Sequence, residues 1–252
     1  IFSLIFKNFE KIAFLIIGII FLLSTILSIY HVGIEKGLIE ESLICESSLE
    51  LNTLDKEFYK DLGLLDSTTL ELPETKGTKP QQPRKWKNLE TATASYGHGI
   101  AVSPIHLATA YSILVNGGFK VYPTIVKKIK KIELHDQIVS ENTSKNIRLM
   151  LEKVVTKGTA RDSDFGGYRV GGKTGTAEKP NPIQGGYYEN KVISTFVSVF
   201  PITKANYVLV VTLDEPENNF GSESYRYASK TAVPVAAKII SRVAPLLDLV
   251  KN

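Results

Sequence analysis

Nineteen consecutive residues, Ile12 to Tyr30 (IAFLIIGIIFLLSTILSIY), carry no charge. As a helix rising about 1.5 Å per residue they cover roughly 28 Å, the depth of a bilayer's hydrocarbon core. Few folds can accept such a segment except a membrane. Lys7 and Lys11 precede it, and Glu35, Glu40 and Glu41 follow. That asymmetry predicts an N-terminus in the cytoplasm and the rest of the chain outside. A cleaved signal peptide is the rival reading, but Ser28-Ile29-Tyr30-His31 offers no small-residue cleavage site. The expected division is a cytoplasmic flank at 1–11, a transmembrane helix at 12–30, an external linker at 31–54 and a globular part at 55–252. The first residue is Ile1 rather than Met, which reads as a fragment or an incomplete gene model.

The globular part must be built without staples. Its linker holds the only cysteine, Cys45, so no internal disulfide can form. His31, His98, His106 and His135 are scattered, which predicts no metal site and no cofactor. The net charge of +4 is dispersed, with no basic run interleaved with aromatics, so nucleic acid is not an expected partner.

Periodicity gives the elements. Phe58, Leu62 and Leu65 share a helical face, and ELPETKGTKPQQPRKW (71–86) is a loop. Ser103 is an expected N-cap with Pro104 as first helical residue. Leu107, Ala110, Tyr111 and Leu114 then form one stripe, and Asn116-Gly117-Gly118 ends the helix. A second helix is expected from Thr143 to Lys157, burying Ile147, Met150, Leu151 and Val154. Between the two, Tyr122 to Leu134 reads as a strand or hairpin arm. Three strands follow, 168–177, 192–200 and 207–213, the last (YVLVVTL) expected to be fully buried. Short loops predict antiparallel neighbours. Residues 214–228 read as a polar loop. A last helix, 229–247, is expected to bury Ala232, Val235, Ala236, Ile239, Ile240 and Val243.

The first of these strands carries VGGKTGTAEK, residues 170–179. Alternation puts Thr174 and Thr176 on one face and Lys173 and Gly175 on the other. Two hydroxyls on one face can hydrogen-bond a carboxylate. Gly175 removes a side chain where a second backbone must come close, and an edge strand of this kind can receive an extended peptide. A lysine and two threonines on an ordinary exposed strand is the plain alternative.

The stretch 95–118 (SYGHGIAVSPIHLATAYSILVNGG), the segment FYKDLGLLDSTTLELPE and the Lys-Thr-Gly triplet, in this order, resemble the second half of class B penicillin-binding proteins, nearest their septal group. The likeness covers about residues 55–245. It implies an α+β penicillin-recognising fold, an antiparallel sheet flanked by helices, incomplete here. The family's activity is D,D-transpeptidation of peptidoglycan through an acyl-serine, in cell-wall and septum synthesis at the bacterial inner membrane. By resemblance, Thr174 and Thr176 hold the terminal carboxylate of a stem peptide or β-lactam. Lys173 supplies charge, Gly175 lets the peptide approach, and the Thr176 N–H is half of an oxyanion hole. Division proteins are the further partners it implies.

The family's nucleophile is the serine of Ser-x-x-Lys, and no serine of this sequence has lysine three residues on. The expectation is therefore a domain without its catalytic serine. Ser-x-Asn, the second family motif, occurs formally at Ser140 and Ser144, both read as helix-start residues. His98, between two glycines, reads as structural. Tyr187 and Tyr188 lie in an expected loop that is either a cleft rim or a plain hairpin.

Tyr30, His31, Gly33, Ile34, Glu35, Gly37 and Cys45 resemble a different family, the membrane proteins that reoxidise disulfide-forming enzymes through quinone. That family needs two cysteine pairs, so a relay has no second sulfur here. The alternatives are a fusion of two gene remnants or an ordinary anchor and linker.

Overall fold

The computed structural model describes residues 2–35, 56–75, 77–127, 136–217 and 226–251. The linker with Cys45, part of the expected 122–134 arm and most of the 214–228 loop lie outside these. Contacts divide the chain into two units, Ile1–Asn52 and Thr53–Asn252.

The described residues of the first unit form one helix, α1 (Phe2–Glu35), 34 residues long. The apolar side chains described along it, Phe14 to Ile29, are all exposed. The uncharged run among its described side chains covers 14–30, and no helix of the described residues is long and apolar enough to cross a membrane.

The second unit is built on an antiparallel sheet of β1 (Gly171–Pro180), β2 (Tyr187–Phe200) and β3 (Tyr207–Asp214), in the order β1-β2-β3. The antiparallel expectation holds, but β2 begins five residues earlier than expected. Register explains this: Pro180 pairs Tyr187, so polar residues extend the hairpin beyond the apolar run.

Alternation gives the sheet two working faces. One carries Phe196, Phe200 and Val211 and packs against α5 (Ala232–Val243). The other carries Val199 and Val208 and meets α3 (Pro104–Val115) and α4 (Glu141–Thr156) through Val115, Leu151 and Ile202. Phe196 and Val199 are wholly buried. Each such side chain contributes about 2 kcal/mol of burial, and the two faces together fix β2 as the central strand. β3 is half-buried rather than fully buried: only Val211 is inside, because β3 is an edge of the described sheet.

Several faces turn differently from the periodicity. In α3 the buried residues are His106, Ala110, Ile113 and Val115. His106 stays inside because its ring is paired on both sides, Nδ1 with Ser103 Oγ at 2.6 Å and Nε2 with the Asp66 carbonyl at 3.0 Å. Ser103 occupies the N-cap position, yet its hydroxyl is taken by His106 and caps nothing. Met150, expected in the core, is exposed on α4, while Leu151 is buried. The final helix starts at Ala232, not 229, and its inward face is Ala232, Val233, Ala236, Ala237 and Ile240, with Val235 outward. One short helix went unforeseen, α2 (Asn88–Ala94). The 56–61 helix stops before Leu62 and Leu65, which are nonetheless buried. The described part of the expected 122–134 arm forms no strand.

Candidate functional site

β1 changes character along its length. At its start, a Cβ on Gly172 would lie 2.4 Å from Phe196 Cζ and 2.7 Å from the Val197 carbonyl oxygen. A Cβ on Gly171 would lie 2.5 Å from Ile202 Cδ1. The core closes on the strand at both, most firmly at Gly172, where a backbone oxygen stands in the way. From Lys173 onward the strand leaves the core: Lys173 and residues 175–178 are exposed. A Cβ on Gly175 would meet only the Thr195 carbonyl oxygen, at 4.0 Å. Nothing among the described residues demands glycine there.

The four candidate residues sit together on this edge. Thr174 and Thr176 lie on the Phe196 face, opposite Phe196 and Ser194 in register, with Lys173 and Gly175 on the other face. Lys173 Nζ donates to the Thr174 carbonyl at 2.6 Å, which folds the lysine back along the strand. Thr174 Oγ1 shares a hydrogen bond of 2.8 Å with Thr159 Oγ1, just beyond α4. Thr176 Oγ1 accepts the Ala228 N–H at 3.0 Å. A hydroxyl that accepts from an N–H keeps its own proton to donate. The edge therefore offers a hydroxyl donor, a second hydroxyl, a cation and unobstructed backbone, a set that suits a carboxylate-ended extended chain.

Thr159 and Ala228, the partners that hold these threonines, were missed by sequence reasoning. They lie 15 and 52 residues from the threonines they touch, and no local pattern marks them.

At the far end of the hairpin the expected loop tyrosines are strand residues: Tyr187 and Tyr188 open β2. Tyr187 Oη and His98 Nδ1 are 3.1 Å apart, with the rings 6.0 Å centre to centre. The His98 backbone N–H donates to the Thr93 carbonyl, and Gly97 and Gly99 both have positive φ, so the turn that carries the histidine requires them. His98 also lines a cleft of about 590 Å³ with Arg84, Lys85, Glu90 and Thr93. A more closed cavity of about 220 Å³ lies elsewhere, around Lys60, Asp66, His106 and Lys120, with no β1 residue in its lining.

An ion network ties the outer ends of the three strands. Lys179 Nζ is 2.7 Å from Glu215 Oε1 and 2.9 Å from Asp214 Oδ1, and Lys191 Nζ is 3.3 Å from Glu215 Oε2. Hydrogen bonds to Glu215 and then Asp214 hold the Lys179 ammonium above its ordinary pKa. Hydrogen bonds from Lys179 and then Lys191 hold the Glu215 carboxyl below its ordinary value. Elsewhere, burial pushes the Tyr111 phenol up.

The formal Ser-x-Asn serines are structural. Ser140 caps α4, accepting from the Thr143 N–H at 3.1 Å. Ser144 is fully buried and accepts from the Gly117 N–H at 3.0 Å, joining α4 to the end of α3.

Known proteins resemble this chain in sequence and fold. The family described as penicillin binding protein transpeptidase domain matches residues 47–241. The probable peptidoglycan D,D-transpeptidase FtsI of Caulobacter vibrioides is 34% identical over 202 residues, 77% of this chain and 34% of that protein. Stage V sporulation protein D of Bacillus subtilis is 34% identical over 205 residues, 77% of this chain and 30% of that protein. The apo TP domain of Burkholderia pseudomallei penicillin-binding protein 3 superposes with a TM-score of 0.67 at 30% identity, covering 78% of this chain and 58% of that one. The chain thus spans about a third of the curated relatives it matches. The match leaves residues 30–45, with their likeness to the disulfide-forming family, outside it. From residue 47 to residue 241, this chain belongs to the penicillin-binding transpeptidase domain family.

Proposed function

We propose that the β1 edge is the substrate-holding side of a peptidoglycan D,D-transpeptidase site. Thr174 and Thr176 receive the terminal carboxylate of a stem peptide or a β-lactam. Gly175 admits the ligand backbone, Lys173 supplies positive charge, and the Thr176 N–H contributes to an oxyanion hole. The observation that carries the reading is the contrast within β1: glycine is required by packing at 172 but meets open space at 175. A strand so shaped leaves room for a ligand.

On this reading the residues present hold substrate but do not acylate, since no serine stands in Ser-x-x-Lys. Binding without chemistry is then the second reading, a module of a cell-wall assembly, favoured by that same absence. The septal assignment and division partners rest on the sequence resemblance of residues 55–245 alone; a peptidoglycan D,D-transpeptidase and a sporulation protein are equally identical to this chain. Residues 12–30 serve as a single anchor in the bacterial inner membrane, with 55–252 on the outer side, by the charge asymmetry around the apolar run. The likeness around Cys45 adds a redox role only if a Cys45→Ser variant alters disulfide formation in the host.

Fluorescent penicillin tests the reading on the full chain. Reversible binding seen by anisotropy, lost in a Thr174→Val, Thr176→Val double variant, with no band on a denaturing gel, is the expected result. A covalent band would assign a nucleophile to some other serine. No binding by folded protein would remove the reading altogether.

A further inference from the structure

Ser194 is a hydroxyl in the wrong company. It lies on β2 directly opposite Thr176 and is fully buried, on the strand that also buries Val192, Phe196, Val197, Val199 and Phe200; the strand's other fully buried hydroxyl, Ser198, donates to the Leu209 carbonyl within the sheet. A buried hydroxyl is destabilising unless its hydrogen bonds are made. Both Ser194 bonds lead instead to the segment before α5. Ser194 Oγ donates to the Arg226 carbonyl at 2.7 Å and accepts from Thr231 Oγ1 at 2.8 Å. The Arg226 side chain reaches the same strand again, donating from Nη1 to the Glu189 carbonyl and to Asn190 Oδ1. Tyr227's carbonyl accepts from the Lys230 and Thr231 N–H groups. Two residues after the Ser194 contact comes Ala228, almost wholly buried, whose N–H points at Thr176 Oγ1.

We infer that Ser194 and Thr231 are positioning residues for the carboxylate site. They hold residues 226–228 against β2, so that the Ala228 N–H occupies a Thr176 lone pair. That fixes the threonine's rotamer and leaves its proton to donate to a ligand carboxylate. Without the hold, Thr176 Oγ1 is free to leave the ligand for another staggered well. The inference rests on the proposed reading of β1 as the carboxylate-holding edge.

The test uses the full chain with Ser194→Ala, the near-isosteric Thr231→Val, and Thr231→Ser, which keeps the hydroxyl. Two quantities are read: amide hydrogen exchange at Ala228, and the affinity ratio of an acyl-D-alanyl-D-alanine peptide to its methyl ester. The wild type is expected to favour the free acid. Ser194→Ala and Thr231→Val are expected to speed Ala228 exchange about tenfold and to cut the acid-to-ester ratio about fivefold, less than the full loss of a charge-assisted bond because the Thr176 hydroxyl is displaced and not removed. Ester affinity stays unchanged, and Thr231→Ser behaves as wild type. Unchanged Ala228 exchange in both variants overturns the inference. So does an equal loss of acid and ester, which marks general loosening. A wild type that prefers the acid, beside variants that keep the whole ratio, overturns the positioning role alone. A wild type that binds acid and ester alike removes the site reading itself, and the inference with it.

Discussion

Two glycines three residues apart in β1 have opposite reasons to be glycine. Gly172 is closed in by Phe196 and by backbone, and any side chain there strikes the core. Gly175 faces open space on a solvent-facing stretch of the same strand. A single strand thus passes from a packed stretch to a solvent-facing one within three residues. A glycine in a strand is therefore not one signal: its neighbours decide whether it serves the fold or the site.

The largest effect belongs to the packed end. Phe196→Ala empties the centre of the α5 face and should cost about 4 kcal/mol in denaturant unfolding. Gly172→Ala should cost about 3 kcal/mol, the upper end of overpacking, because the Val197 carbonyl cannot move aside as a side chain would. Gly175→Ala should leave stability within about 0.5 kcal/mol while weakening β-lactam binding about tenfold. If it destabilises as much as Gly172→Ala, the contrast is broken. The smallest effect is at the ion network. Glu215 sits below its ordinary pKa, so its contribution is complete above the usual carboxylate range and is lost as pH falls through the lowered value. Lys179 sits above its ordinary pKa, so its contribution is complete below the usual lysine range and is lost as pH rises through the raised value. Lys179→Met should accordingly differ from wild type by a small, salt-sensitive amount at neutral pH, and the difference should vanish at both extremes. A difference that grows toward acid would contradict this sign.

The packed part of the molecule was the more legible from sequence. β2, β3, α3, α4 and the final helix announce themselves by their apolar residues, and Asn116-Gly117-Gly118 marks a true stop: a Cβ on Gly118 would fall on the Val139 carbonyl. The triplet on its strand was legible too, since alternation alone assigns Thr174 and Thr176 to one face. What stayed hidden depends on distant pairing. α2 (NLETATA) has no apolar stripe to reveal it. His106 is buried because Asp66, 40 residues earlier, supplies a carbonyl. Tyr187 is a strand residue because Pro180 pairs with it. The partners that orient the threonines come from the ends of other elements, which no local period can show.

The central claim is that ligands settle on the outer part of β1. Titrating the full, isotope-labelled chain with a penicillin and following backbone amide shifts tests it directly. The account predicts reversible shifts concentrated at Lys173, Thr174, Gly175 and Thr176, with Ala228 following and no gain in protein mass. Saturable shifts gathered instead around His106 and Lys120, with β1 silent in a folded chain, would contradict it.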